Sequence, residues 1–275
     1  MVPTPSREPP TAAALTSAAC VAFLAVVIPA GVLYFSEEEP SEGRGFRISF
    51  GSCLHHRHRP WRVFSSMEYF GPDVVILMGD LIYSDWDDIN KGLDDVQSLS
   101  EAEYESLLVN LYEEAFLEEH LSEIVSAEKP DTFFMWDDHE LMDNYDQGPN
   151  TPMYKVARRV FENYTNPRSS IHRRTFKGHL FYEIDYPENR LSAFVLDTRS
   201  YRSRVSANDK DKTMLGTLQL RKLKYFLLGA PRQHWKFIVS SVMWNDYAAS
   251  ALEDGEEYLD GWAKYRTERE DIFTF

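Results

Sequence analysis

Five short apolar runs punctuate the chain: FRISF (46–50), VVILM (74–78), TFFMW (132–136), LSAFVL (191–196) and WKFIVSSVMW (235–244). Each has strand length and is rich in β-branched or aromatic residues, the composition of a buried strand. Helical spacing fills the intervals. The clearest stretch is 100–126, where Ser100 and Glu103 form a capping box and Leu107, Leu108, Leu111, Ala115 and Leu121 follow at near-helical spacing. Strands alternating with helices predict an α/β sandwich with a mixed or parallel sheet.

The N-terminal pattern differs. From Thr11 to Phe35 the chain reads TAAALTSAACVAFLAVVIPAGVLYF and carries no charge. A helix of about 25 residues spans roughly 38 Å, enough to cross a hydrocarbon core of about 30 Å. Residues 11–35 therefore predict a transmembrane or signal-anchor helix. A cleaved signal peptide, cut among the small residues near Ile28-Pro29-Ala30, and a buried soluble helix are the alternatives. The expected organisation is a tail (1–10), that helix (11–35), a polar linker SEEEPSEGR (36–44) and one domain over 45–275. The expectation for location is a single-pass membrane protein with its domain luminal or extracellular, secreted if 11–35 is cleaved. The domain itself is expected to be monomeric.

Composition narrows the function. With 29 Lys and Arg against 44 Asp and Glu, the formal net charge of the 275 residues is −15. That argues against nucleic acid as a specific partner, since phosphates need a basic face. An acidic protein still binds phosphate esters where a metal supplies the positive charge. Aromatic residues, at 14%, are too many for a disordered chain, and two cysteines are too few for a disulfide-stapled one.

Chemistry gathers where the strands stop. Phe50 leads into Gly51-Ser52-Cys53, Met78 into Gly79-Asp80, Trp136 into Asp137-Asp138-His139, and Leu196 into Asp197-Thr198-Arg199. Ligands of open α/β sheets bind beyond the carboxyl ends of the strands. Four ends bearing thiol or carboxylate groups concentrate negative charge that a metal ion would neutralise. Read singly, each residue has a plainer role: Cys53 a buried thiol, Tyr83 a core aromatic, His139 a structural histidine and Arg199 a surface ion pair. The run His55-His56-Arg57-His58-Arg59 reads as a solvated loop.

Taken together, Phe50-Gly51-Ser52-Cys53, Met78-Gly79-Asp80-Leu81-Ile82-Tyr83, Trp136-Asp137-Asp138-His139-Glu140, Leu196-Asp197-Thr198-Arg199-Ser200-Tyr201-Arg202 and Met214-Leu215-Gly216 with Gln219 resemble the PhoD-like alkaline phosphatases and phosphodiesterases. These belong to the calcineurin-like metallophosphoesterases. The resemblance runs from about 46 to about 262 and implies a four-layer αββα sandwich and a site holding ferric iron and a divalent ion, often calcium. It implies Cys53 as a thiolate ligand of the iron, Asp80 as the bridging carboxylate and Tyr83 as a phenolate ligand. Asp138 or Asn144 would hold the second metal, His139 would sit beside the leaving group, and Arg199 would contact phosphate. A thiolate and a phenolate suit a trivalent ion, and oxygen donors suit Ca²⁺.

The wider pattern also calls for a strand ending in Gly-Asp-x-His, which this chain lacks. The expectation is therefore a sandwich incomplete at its C-terminus. Two functions follow: a metal-dependent hydrolase of phosphomonoesters or phosphodiesters with a binuclear-type site, or an inactive membrane-anchored domain that binds phosphorylated ligands or a partner.

Overall fold

The computed structural model describes residues 21–25, 30–35, 45–55, 59, 61–85, 93–166, 170–245 and 260–275. Two sheets form its centre. One runs in the order β2 (Ala30–Phe35), β3 (Phe46–Gly51), β4 (Val74–Met78), β5 (Asp131–Met135). The other runs β1 (Val21–Ala25), β9 (Trp235–Ser240), β8 (Leu191–Val195), β7 (Tyr182–Tyr186), β6 (Arg173–Thr175). Strands β3, β4 and β5 are mutually parallel, with Ile76 opposite Phe50 and Phe133. Strands β8 and β9 are also parallel, while β7 and β6 add antiparallel.

The sheets face each other across a core of Ile48, Phe50, Ile76, Met78, Phe133 and Met135 from one and Tyr182, Ile184, Val195, Phe237 and Val239 from the other. Alternate residues of β4 and β5 point the opposite way. Val75, Leu77 and Phe134 thus pack against the helices α1 (Val63–Phe70), α3 (Glu101–Phe116), α4 (Glu119–Ser126) and α5 (Pro152–Thr165). Phe194 and Ile238 likewise pack against α6 (Gly216–Gly229) and α7 (Arg266–Phe273). A short helix α2 (Leu93–Ser98) precedes α3. The result is a mixed α/β fold with helices on both outer faces of a two-sheet sandwich. Strands buried on both faces explain why their sequences read as continuous apolar runs.

Three expectations are corrected. The described residues of 11–35 are strands rather than helix: Val21–Ala25 pairs in parallel with β9, and Ala30–Phe35 pairs antiparallel with β3. An apolar run rich in Val, Leu and Ala has no period that separates helix from strand, and edge pairing satisfies its backbone equally well. Among the described residues no helix is long and apolar enough to cross a membrane. The tail 1–10 and the linker 36–44 lie outside the described residues. The stretch 100–126 is two helices, because the Glu118 carboxylate caps the second by accepting the Leu121 N–H. Strands β6 and β7 escaped the apolar criterion, since YEIDY alternates polar and apolar residues.

Candidate metal centre

Because β3, β4 and β5 run parallel, the residues that follow them gather at one edge of the sheet. Gly79 allows the closest approach. Its φ is +91°, and a Cβ there would stand 2.5 Å from Cβ of Asp137. Cys53, Asp80 and Asn144 also take left-handed backbone, with φ of 59°, 55° and 53°. Non-glycine residues hold such conformations where the surroundings over-determine them, and functional loops are the usual place. Here the Cys53 and Leu54 N–H groups donate to the carbonyls of Gly79 and Asp80. Glu140, buried, ties the other side: Oε2 accepts the N–H of Asp80 (3.1 Å) and of Asp137 (2.7 Å), and Oε1 accepts that of Leu81 (2.7 Å).

Asp80 is the centre of the expected ligand set. Cys53 Sγ and the Tyr83 hydroxyl each lie 3.5 Å from its Oδ2. Its other oxygen, Oδ1, is buried and has no hydrogen-bond partner among the described residues. Ligand atoms of Asp80, Asp138 and His139 lie within 4.8 Å of one another. Asn144 sits on the same loop, but its described contacts are local: its backbone N–H donates to Asp138 Oδ2 (2.7 Å) and its side-chain amide to Asp143 (2.8 Å).

His139 stacks on Tyr83, with ring centroids 4.1 Å apart. Its Nδ1 lies 2.8 Å from Asp85 Oδ1, and Asp85 Oδ2 accepts the Asp143 N–H at 2.7 Å. That arrangement points Nε2 away from Asp85 and toward Asp143, at 4.0 Å.

Arg199 is placed differently from the expected phosphate contact. It is 0% exposed. Nε reaches Asp137 Oδ1 at 2.5 Å, Nη2 reaches Asp138 Oδ1 at 3.1 Å, and Nη1 and Nη2 grip Asp260 end-on. Arg202, on the same loop, donates to the Asp260 carboxylate and to its backbone carbonyl. A buried guanidinium whose fork is taken by three carboxylates is a structural cation, not an open anion clamp.

The electrostatics follow from carboxylates crowded at a buried edge. Burial, reinforced by Asp138 and Asp137, holds the Asp80 carboxyl well above the usual range. Burial likewise lifts Asp137 to about 6, against the pull of Arg199, and Glu140 to about 7. The residue Cys53 reaches solvent, yet its thiol is desolvated beside Asp80 and pushed up to about 12. Burial pulls His139 down, but the hydrogen bond to Asp85 and the charges of Asp138 and Asp80 outweigh it, to about 10. These protons are what a cation would displace. An orphaned buried carboxylate oxygen amid a thiol, a phenol, an imidazole and further carboxylates fits a metal centre.

The family model of the PhoD-like phosphatases matches residues 48–275. The chain belongs to the PhoD-like phosphatase family. A solved structure titled "Structure of PhoD" superposes with a TM-score of 0.62 at 19% identity, over 90% of this chain and 48% of that one. The chain thus spans about half the length of that PhoD structure, and the likeness is one of fold. No curated protein matches. Members of this family are metal-dependent, and the acidic cluster at the strand ends of this PhoD-like chain could hold metal.

Sequence reasoning brought Cys53, Asp80, Tyr83, Asp138 and His139 to one place. It missed Asp85, Glu140 and Asp260. Glu140 lay inside the Trp-Asp-Asp-His-Glu string and signalled itself there. Asp85 and Asp260 carried no pattern; their roles depend on partners 54 and 61 residues away.

Proposed function

We propose that the chain is a metal-dependent phosphoester hydrolase whose centre is built on Asp80. The observation that carries this reading is the Asp80 carboxylate, clustered with Asp138 and His139: its Oδ1 is buried with no hydrogen-bond partner among the described residues, and Cys53 and Tyr83 lie on the other oxygen. The donor set divides by charge and donor type: the anionic thiolate of Cys53 and phenolate of Tyr83 would suit a ferric ion, the oxygens of Asp138 and Asn144 would suit a divalent ion such as Ca²⁺, and Asp80 would be the ligand they share. Such ions, when bound, polarise the phosphoryl group and acidify a water.

The protein's own residues supply the rest. Asp85 accepts from Nδ1–H of His139, so Nε2 carries a proton only in the imidazolium form, which the hydrogen bond to Asp85 and the charges of Asp138 and Asp80 favour. A proton on Nε2 is placed to pass to a departing alkoxide. Glu140 fixes the backbone of Asp80 and Asp137, so the ligands do not reorganise as charge builds. The substrate is a phosphate ester.

Turnover of p-nitrophenyl phosphate and of bis(p-nitrophenyl) phosphate by the purified chain, with metal content measured in parallel, tests the reading. Activity lost to a chelator and restored by Fe³⁺ with Ca²⁺ is the expected result. Metal bound without turnover of either ester would leave a silent phosphate-binding domain.

A further inference from the structure

Asp138 belongs to two carboxylate groups at once. One is Asp80, Asp138 and His139; the other is Asp137, Asp138 and Asp260. The second group already contains its cation, the Arg199 guanidinium, which bonds all three of its carboxylates. Arg199 and any metal therefore compete for Asp138. What sets that competition is how the guanidinium divides itself. Toward Asp260 it presents its end-on fork, two parallel N–H···O bonds, the strongest arrangement an arginine makes. Toward Asp138 it gives a single contact at 3.1 Å from an Nη2 already bonded to Asp260. Arg202 in turn holds Asp260 by its carboxylate and its carbonyl, so Asp260 does not follow Arg199 toward the centre. The side chains of both arginines are fully buried and that of Asp260 is 4% exposed, so water does not screen the exchange.

We propose that Asp260 is a positioning residue for the metal centre: it draws the Arg199 guanidinium back by its fork, leaving Asp138 able to take a cation together with Asp80. This rests on the metal-centre reading of Asp80 above. Without the Asp260 charge, Arg199 has Asp137 and Asp138 as its remaining counter-ions and closes on them, and the cation loses a ligand. Asp260 touches neither Asp80 nor His139 in any described contact, and its hydrogen bonds go to Arg199 and Arg202 rather than to Asp138, so the route proposed for its effect on metal is Arg199. The same contact ties the segment that carries α7 to the strand-end edge.

The test is a titration of the whole metal-free chain with Mn²⁺ alone, read by the electron paramagnetic resonance of the free ion, so that turnover plays no part. Asp260→Asn, which keeps the shape and removes the charge, should weaken Mn²⁺ binding about tenfold or more, the usual loss when a residue supporting a ligand is changed. Asp260→Glu, which keeps the charge, should recover most of it. Arg199→Gln, which removes the competitor, should tighten binding several-fold. In the Arg199→Gln background Asp260→Asn should then change the affinity less than about threefold. An equal loss in both backgrounds would overturn the proposal, because Asp260 would then act by direct charge or through general loosening of the fold. So would unchanged Mn²⁺ affinity in Asp260→Asn, or failure of the unaltered chain to bind Mn²⁺. Circular dichroism checks that each variant is folded. If Asp260→Asn does not fold, Arg199→Gln decides by its sign: tighter binding supports the role and weaker binding refutes it.

Discussion

Gly79→Ala separates two things that glycine does at the strand-end edge. The first is conformational: φ is +91°, a region that L side chains avoid at a cost of about 1–2 kcal/mol. The second is steric. The added Cβ would meet Asp137 Cβ at 2.5 Å, its backbone N at 3.0 Å and the Trp136 carbonyl carbon at 3.1 Å. None of these is the end of a flexible chain, so β4 and β5 must part locally, at a cost of about 1–3 kcal/mol for an overpacked site. The sum is roughly 2–5 kcal/mol, a large share of the 5–15 kcal/mol that ordinarily separates folded from unfolded. Gly148→Ala supplies the control. Its φ is +76° and nothing lies within 4 Å of the new Cβ, so it carries the conformational cost alone. Urea unfolding of the metal-free chain measures both. Gly79→Ala should be the less stable by about 1–3 kcal/mol, with an unchanged m value. Equal destabilisation would mean that the two loops do not meet, and the geometry that brings Asp80 to Asp137 would be wrong.

Asp80→Ala should abolish metal binding by the chain, because Asp80 is the proposed shared ligand; metal content by elemental analysis checks this, and retention of one ion would assign it elsewhere. Loaded with ferric iron, the chain should absorb visible light through Cys53 and Tyr83, and Cys53→Ser should remove the thiolate part of the band while the phenolate part stays; an unaltered spectrum would take sulfur out of the coordination sphere. Raised carboxyl pKa values make the metal-free fold bind protons more tightly than the unfolded chain. Asp137, from about 4 unfolded to about 6 folded, therefore stabilises fully at low pH, and that contribution is lost as pH rises through this window. Calorimetry of the metal-free chain should show this fall shrink in Asp137→Asn, and metal affinity should rise with pH over the same range. Asp85→Asn should lower turnover, with metal content retained, and should displace the limb of the pH–rate profile that reports His139; a profile that keeps its shape would detach Asp85 from His139.

Some of this protein is determined by the sequence alone. The runs VVILM and LSAFV are strands because both of their faces are covered, and a segment buried on both sides reads as unbroken apolar residues wherever it is placed. The Ser100 cap is equally local, since its partner Glu103 is three residues away. The strand-end residues Cys53, Asp80 and Asp138 could be picked out because parallel strands deliver whatever follows them to one edge. Other features needed the tertiary structure. The apolar stretch 11–35 carries the same residues whether it lies in a bilayer or pairs at sheet edges, and the partners β9 and β3 decided for strands in its described parts. Arg199 has the chemistry of a phosphate clamp. Three carboxylates from two distant segments made it an internal counter-ion instead. Asp85 and Asp260 act through side-chain groups roughly sixty residues away. Such pairings leave no local pattern, because an ion pair requires proximity in space and places no constraint on spacing along the chain.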